Sequence, residues 1–287
     1  MRHRRSLVRG YKRFENRSNY FRRMSKQDIS LKTLVWGILW VSVILIGNTC
    51  NTVYGQGDSN PKIKVALIYT GTSPELIEFT EREIKEQLGA DVELMVYKVP
   101  SVLEEVRNAG YVTAAPAAKM IRTYMEAVEA GADAVLSICS TMGDVAYSVQ
   151  DVAKYLGVPI IIINEEMCRE AVRKGNKIAV MATLPTSIAP TKNILARVSR
   201  EMGKHVEVIE VLVDGAYGLD PEQFKTRMTE EAAKIADQVD VIVFSQGSMA
   251  YCEKLIADRF HKTVLSNPHY GAKALKAALV EKGMIAK

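Results

Sequence analysis

Short apolar runs rich in valine and isoleucine recur along the chain at residues 64–70, 92–99, 134–140, 159–164, 177–183, 206–213, 240–246 and 262–266. Near-continuous apolar runs of this length predict strands covered on both faces. Between them the spacing turns helical. Residues 73–88 bring Leu76, Ile77, Ile84 and Leu88 to one face, 117–130 bring Met120, Ile121, Met125 and Val128, and 221–239 bring Phe224, Met228, Ala232 and Ile235. Ser73-Pro74 and Asp220-Pro221 each set a capping side chain ahead of a first-turn proline, which marks a helix start. This alternation predicts an α/β fold with parallel sheets flanked by helices.

An internal repeat divides the pattern in two. Asp133-Ala-Val-Leu-Ser-Ile-Cys139-Ser-Thr-Met142 aligns with Asp240-Val-Ile-Val-Phe-Ser-Gln246-Gly-Ser-Met249, and the run from Lys64 to Thr70 aligns with the run from Lys177 to Thr183. Two pseudosymmetric lobes follow, at 62–164 and 165–268, each of a size that can hold its own core. A C-terminal helix over 269–284 packs back on the first lobe. Ligands of open α/β sheets bind beyond the carboxyl ends of the strands. A crevice between the lobes is therefore lined by Thr70, Gly71, Thr72 and Ser73, by Cys139, Ser140 and Thr141, by Asn164 and Glu165, by Thr183, and by Gln246, Gly247 and Ser248.

The charge of the chain is unevenly placed. Residues 1–33 carry 11 Lys+Arg against 2 Asp+Glu, and 34–55 carry no charge, so the remainder has 27 basic and 31 acidic residues. The formal net charge of +5 thus belongs to a leader, and the rest is mildly acidic. No stripe of Lys/Arg with interleaved aromatics follows the leader, which argues against a nucleic-acid partner. The uncharged apolar run 34–47 has 14 residues, short of the roughly 20 that span a bilayer. Basic residues before it and Val53-Tyr-Gly55 after it predict a signal peptide with a mature start near Gln56, and so a periplasmic or extracellular protein. The alternative is an uncleaved membrane anchor. Met24 offers a second start with an n-region of ordinary length.

The Cys139-Ser140-Thr141 turn, together with Gly157-Val-Pro-Ile-Ile-Ile-Ile-Asn-Glu-Glu-Met167 and Ile178-Ala-Val-Met-Ala-Thr-Leu-Pro-Thr-Ser187, resembles the aspartate/glutamate/hydantoin racemase superfamily over residues 62–283. The resemblance implies two α/β lobes that each present one cysteine at the end of a central strand, with the substrate between the thiols. It implies a cofactor-independent isomerase or racemase of amino acids or small carboxylates, with no metal and no pyridoxal group. Racemisation moves a proton between opposite faces of a planar carbanion, so an acid and a base must flank the carbon. Cysteine suits this because its pKa falls toward neutrality at a helix N-terminus.

The sequence departs from that pattern at one place. Cys139 is the candidate acid/base, but its repeat partner is Gln246, whose amide exchanges no proton at neutral pH. Cys252 and His269 remain as candidates for a second acid/base. Thr70, Gly71, Thr72, Ser140, Thr141, Thr183, Gln246, Gly247 and Ser248 are candidates for substrate binding, although Thr70, Thr72, Ser73 and Thr183 also suit helix capping. Cys168 and Cys252 have helical neighbours and read as packing residues. Beyond the leader three cysteines remain, so at most one pair can close. The four histidines show no zinc-ligand spacing. Three readings stand: a racemase-like isomerase working through Cys139; a single-thiol decarboxylase or lyase, as in the related arylmalonate decarboxylases, or an isomerase acting by covalent attack, as in the maleate isomerases; and a non-catalytic extracytoplasmic binding protein. A homodimer is compatible with each.

Overall fold

The computed structural model describes residues 62–89 and 92–286. The basic leader, the apolar run 34–47, the cut near Gln56 and the alternative start at Met24 lie outside the described residues. All eight expected strands are present: β1 (Ile63–Tyr69), β2 (Val92–Lys98), β3 (Ala134–Ile138), β4 (Ile160–Ile162), β5 (Lys177–Ala182), β6 (Glu207–Leu212), β7 (Val241–Phe244) and β8 (Thr263–Ser266). They form two four-stranded parallel sheets of identical topology, β2-β1-β3-β4 and β6-β5-β7-β8.

The helices among the described residues are α1 (Pro74–Leu88), α2 (Pro100–Ala109), α3 (Ala114–Glu129), α4 (Gly143–Ser148), α5 (Gln150–Leu156), α6 (Glu165–Lys174), α7 (Ile188–Glu201), α8 (Pro221–Ile235), α9 (Glu253–Phe260) and α10 (Asn267–Glu281). The caps expected at α1 and α8 form: Ser73 Oγ accepts from Leu76 N at 3.3 Å, and Asp220 Oδ1 accepts from Glu222 N and Gln223 N at 3.1 Å each. Helix α2 has no counterpart in the periodicity reading. Its inward face has only Val102, Leu103 and Val106, too few for a periodic signal, and the turn at Gly110 (φ +80) closes it. Cys139 is followed by a 3-10 turn over Ser140–Met142 and then by α4 and α5, which break at Val149.

Strand register fixes what lies beside what. Tyr69 pairs with Ile138 and Met181 with Phe244. One step further along, Thr70 is beside Cys139; two steps on in the second sheet, Thr183 is beside Gln246. At the opposite end the repeat's aspartates tie neighbouring strands together. Asp133 Oδ2 accepts from Lys64 N at 2.8 Å, and Asp240 Oδ2 accepts from Asn176 N at 2.8 Å and Lys177 N at 2.9 Å.

The two lobes do not keep separate cores. One buried cluster takes Ala66, Ile68 and Val135 from the first sheet, Ile178, Val180, Val241 and Val243 from the second, and Met167, Ala171, Leu195 and Val198 from α6 and α7 between them. Helices α6 and α7, which follow the lobe boundary expected at 164/165, thus pack against both sheets. A second cluster covers the outer face of the second sheet with α8 and α9 residues such as Phe224, Met228 and Ile256. A third covers the first sheet, where Leu275 and Leu279 of α10 meet Leu67, Leu136 and Ile84. Helix α10 therefore belongs by packing to the first lobe.

Candidate functional site

A cavity of about 260 Å³ opens between the carboxyl ends of the two sheets. Its floor and walls include Thr70, Gly71, Thr72, Ser73, Cys139, Ser140, Thr141, Gln246, Gly247 and Ser248, so most residues expected in the crevice meet there. The volume lies at the lower edge of ordinary small-molecule sites and suits a ligand of modest size.

Cys139 is almost enclosed, with 7% of its surface exposed. Burial pushes its thiol pKa up, and the side chain of Thr70 with the backbone amides of Met142 and Thr141 pulls it partly back. The same contacts serve a thiolate once one forms. The thiol is consequently protonated at rest near neutral pH and surrounded by donors that lower the cost of its losing that proton.

The second lobe repeats this arrangement with different chemistry. Gln246 Oε1 accepts from Thr183 N at 2.8 Å, and Gln246 Nε2 donates to Thr183 Oγ1 at 2.9 Å. Thr183 faces Gln246 as Thr70 faces Cys139, but it lines no part of the cavity. Both ends of the glutamine amide are held, so the position offers hydrogen bonds and has no proton to exchange.

Three candidates do other work. Ser140 Oγ donates to the Ser245 carbonyl and accepts from Asn267 Nδ2 at 3.2 Å. Asn267 Nδ2 also donates to the Ser245 carbonyl at 3.0 Å. Ser140 therefore straps the lobes together at the cavity floor. Cys252 ends the 3-10 segment Gly247–Cys252 and is fully buried in the outer core of the second sheet, away from the cavity. His269, in the first turn of α10, pairs through Nδ1 with Glu83 of α1 at 3.0 Å and is absent from the cavity lining. Asn164 and Glu165 also serve the scaffold. Asn164 Nδ2 donates to Thr191 Oγ1 at 3.2 Å, and Glu165, although partly buried, is held below the usual carboxylate range by Arg197 and Arg169.

Sequence reasoning passed over Ser245 and Asn267, which join the lobes, and the apolar wall of Leu103, Leu184, Leu219, Phe224 and Tyr251. The repeat held one signal for Asn267: the fourth strand of each lobe is followed by an asparagine, Asn164 and Asn267. Among the described residues, no group of three or more His, Cys, Asp or Glu could hold a metal ion. No helix among them is long and apolar enough to cross a membrane.

All three described cysteines are free thiols. Only Cys139 lines the cavity. Iodoacetamide should therefore label Cys139 in the native protein well before Cys168 or Cys252, and peptide mass analysis after short exposure reads this directly. Equal labelling of all three would contradict the placement. Burial also pushes the Cys168 thiol upward, and the Cys252 thiol to about 12. A folded-state pKa raised above the unfolded value stabilises the protein below the unfolded thiol pKa of about 8.5 and loses that contribution as pH rises toward the folded value. Urea midpoints should accordingly fall between pH 8 and pH 10, and a flat profile would contradict the three buried thiols.

The sequence profile of the Asp/Glu/Hydantoin racemase family matches residues 65–275. Among solved structures, glutamate racemase isoform RacE1 from Bacillus anthracis superposes with a TM-score of 0.59 at 17% identity, covering 79% of this chain and 85% of that one. Allantoin racemase from Klebsiella pneumoniae gives a TM-score of 0.57 at 17% identity, over 78% of this chain and 90% of that one. Picrophilus torridus aspartate racemase gives 0.54 at 12% identity, over 77% and 94%. At these identities the superpositions speak for the fold. No curated protein matches the sequence.

Proposed function

Because the chain belongs to the Asp/Glu/Hydantoin racemase family, we propose that it catalyses one-sided proton transfer at a carbon next to a carboxylate or comparable carbonyl, with Cys139 as the acid/base. The observation that carries this reading is the asymmetry of the pseudosymmetric pair: a thiol beside Thr70 in one lobe, an amide locked on Thr183 in the other. The acidifying group of the substrate sits by the backbone amides and hydroxyls at Thr70–Ser73 and Thr141. Charge then builds on that group as the neighbouring carbon becomes a carbanion, where fixed donors stabilise it more than water would.

In the protonating direction the Cys139 S–H bond breaks as a C–H bond forms, and the thiolate left behind is held by Thr70 and the amides of Thr141 and Met142. Water then returns a proton to sulfur. In the other direction the thiolate takes the α-hydrogen. No metal or organic cofactor is needed for either direction. Gln246 orients the substrate and exchanges no proton, so the reaction is an isomerisation or a lyase-type protonation and not a symmetric two-thiol racemisation. The leader motivates a further part of the reading, that this chemistry takes place outside the cytoplasm; cell fractionation with an antibody to the chain tests it, and recovery in the cytoplasm alone would oppose it.

The assay is proton NMR in deuterium oxide with a panel of amino acids, hydantoins and small carboxylates. Loss of an α-proton signal from at least one member supports catalysis. A ligand that binds and comes back with its α-proton intact favours a binding protein instead.

A further inference from the structure

The proposed chemistry fixes one end of the substrate, the acidified head group at the strand ends, and the remaining wall of the cavity bears on the other end. Leu103 of α2, Leu184, Leu219, Phe224 and Tyr251 line it. The Phe224 and Tyr251 rings already form a tilted pair, with centroids 5.3 Å apart and planes at 40°. This is a preformed apolar corner of the kind that receives a ring or branched alkyl group.

Charge points the same way. Of the residues lining the cavity, Glu75 alone carries a formal charge, and it is acidic; no Lys, Arg or His lines it. Arg107 lies 4.7 Å from the centroid of the cavity-lining Tyr217 ring and is not itself part of the lining. A second carboxylate on the substrate would lose its water, find no cation and meet the field of Glu75.

Resting on the proposed function, we infer that the substrate carries one carboxylate or carbonyl head group and an apolar, ring-sized side group, and that dicarboxylates are excluded. Specificity is set by Leu103, Leu184, Leu219, Phe224 and Tyr251 on the attractive side and by Glu75 on the repulsive side.

Calorimetric titration of the full chain with phenylacetate and 3-phenylpropanoate, against succinate and glutarate, reads the preference without requiring turnover. The phenyl monocarboxylates should bind at least about tenfold more tightly, in line with the discrimination that a few lost apolar contacts and an unpaired polar group provide. Leu103→Arg should narrow or reverse the preference by placing a cation on the wall, with glutarate gaining about tenfold. Its circular dichroism spectrum and melting curve check that the variant is folded. Dicarboxylates binding the native protein as tightly as the phenyl acids, or no binding of the phenyl acids, would overturn the inference. If apolar acids bind while no panel member undergoes α-exchange, the ligand preference of the cavity stands and the proposed function fails.

Discussion

Cys139→Ala should lower α-proton exchange by about 10²–10⁴-fold, the range lost when a positioned acid or base is removed. Under the proposed function the cavity-lining thiol moves a proton to carbon, and Gln246, its counterpart, cannot substitute for it. The melting temperature should stay within a few degrees of the native value. Cys139 closes no disulfide, alanine keeps the Cβ of a small core residue, and the thiol's hydrogen-bond partners are Thr70 and the amides of Thr141 and Met142, the last two within the 3-10 turn Ser140–Met142. Cys139→Ser should fail in the same way despite its near-identical shape, because a hydroxyl holds its proton too firmly to act as the base. The rate of the deprotonating direction in the native protein should rise with pH on the alkaline side, since burial raises the thiol pKa and the proposed chemistry has the thiolate take the proton. Full turnover by either variant, with the fold intact, would contradict the assignment.

Gly175→Ala is expected to have the largest effect on stability at no cost to the chemistry. A Cβ at this position would stand 2.3 Å from Asp240 Cβ and 3.0 Å from its Cγ. The backbone at Gly175 is extended, so the obstacle is space and not conformation. Relief requires Asp240 to move, which breaks its hydrogen bonds to Asn176 N and Lys177 N and frees the start of β5 from β7. Overpacking of this kind costs about 1–3 kcal/mol, or a fall in melting temperature of roughly 3–10 °C for a domain of this size. The site lies at the amino ends of the strands, opposite the cavity, so kcat at a permissive temperature should be unchanged. Thermal unfolding followed by circular dichroism gives the answer, and an unchanged midpoint would show that Asp240 can yield without penalty.

Much of the architecture was legible because parallel strands buried on both faces leave a continuous apolar signal. The repeat from Asp133 to Met142 and from Asp240 to Met249 went further: the same strand motifs recur in the same order in each half, and the two sheets share one strand order. It also identified the strand ends that form the cavity floor. What it could not convey were contacts between residues far apart in sequence. Ser140 meets Ser245 and Asn267 across separations of 105 and 127 positions. The shared core through α6 and α7 is equally invisible, because a buried helix face looks the same whether it packs on one sheet or two.

Cys252 and His269 show a second limit. Both are residue types with the right chemistry near the right strands, but orientation decides what they do. A 3-10 segment carries Cys252 into the outer core, and helix α10 turns His269 toward Glu83. The apolar wall was missed for a related reason. Leu103, Leu184, Leu219, Phe224 and Tyr251 come from five separate stretches, and each alone reads as an ordinary core residue.

Under the proposed function, protons reach the substrate from one face only. The most direct test supplies separated enantiomers of an exchanging substrate in deuterium oxide and follows each α-proton by NMR. Exchange should occur in one enantiomer, without appearance of its mirror image at a matching rate. Equal exchange in both, with interconversion, would require a second acid/base opposite Cys139 and would contradict a purely hydrogen-bonding role for Gln246.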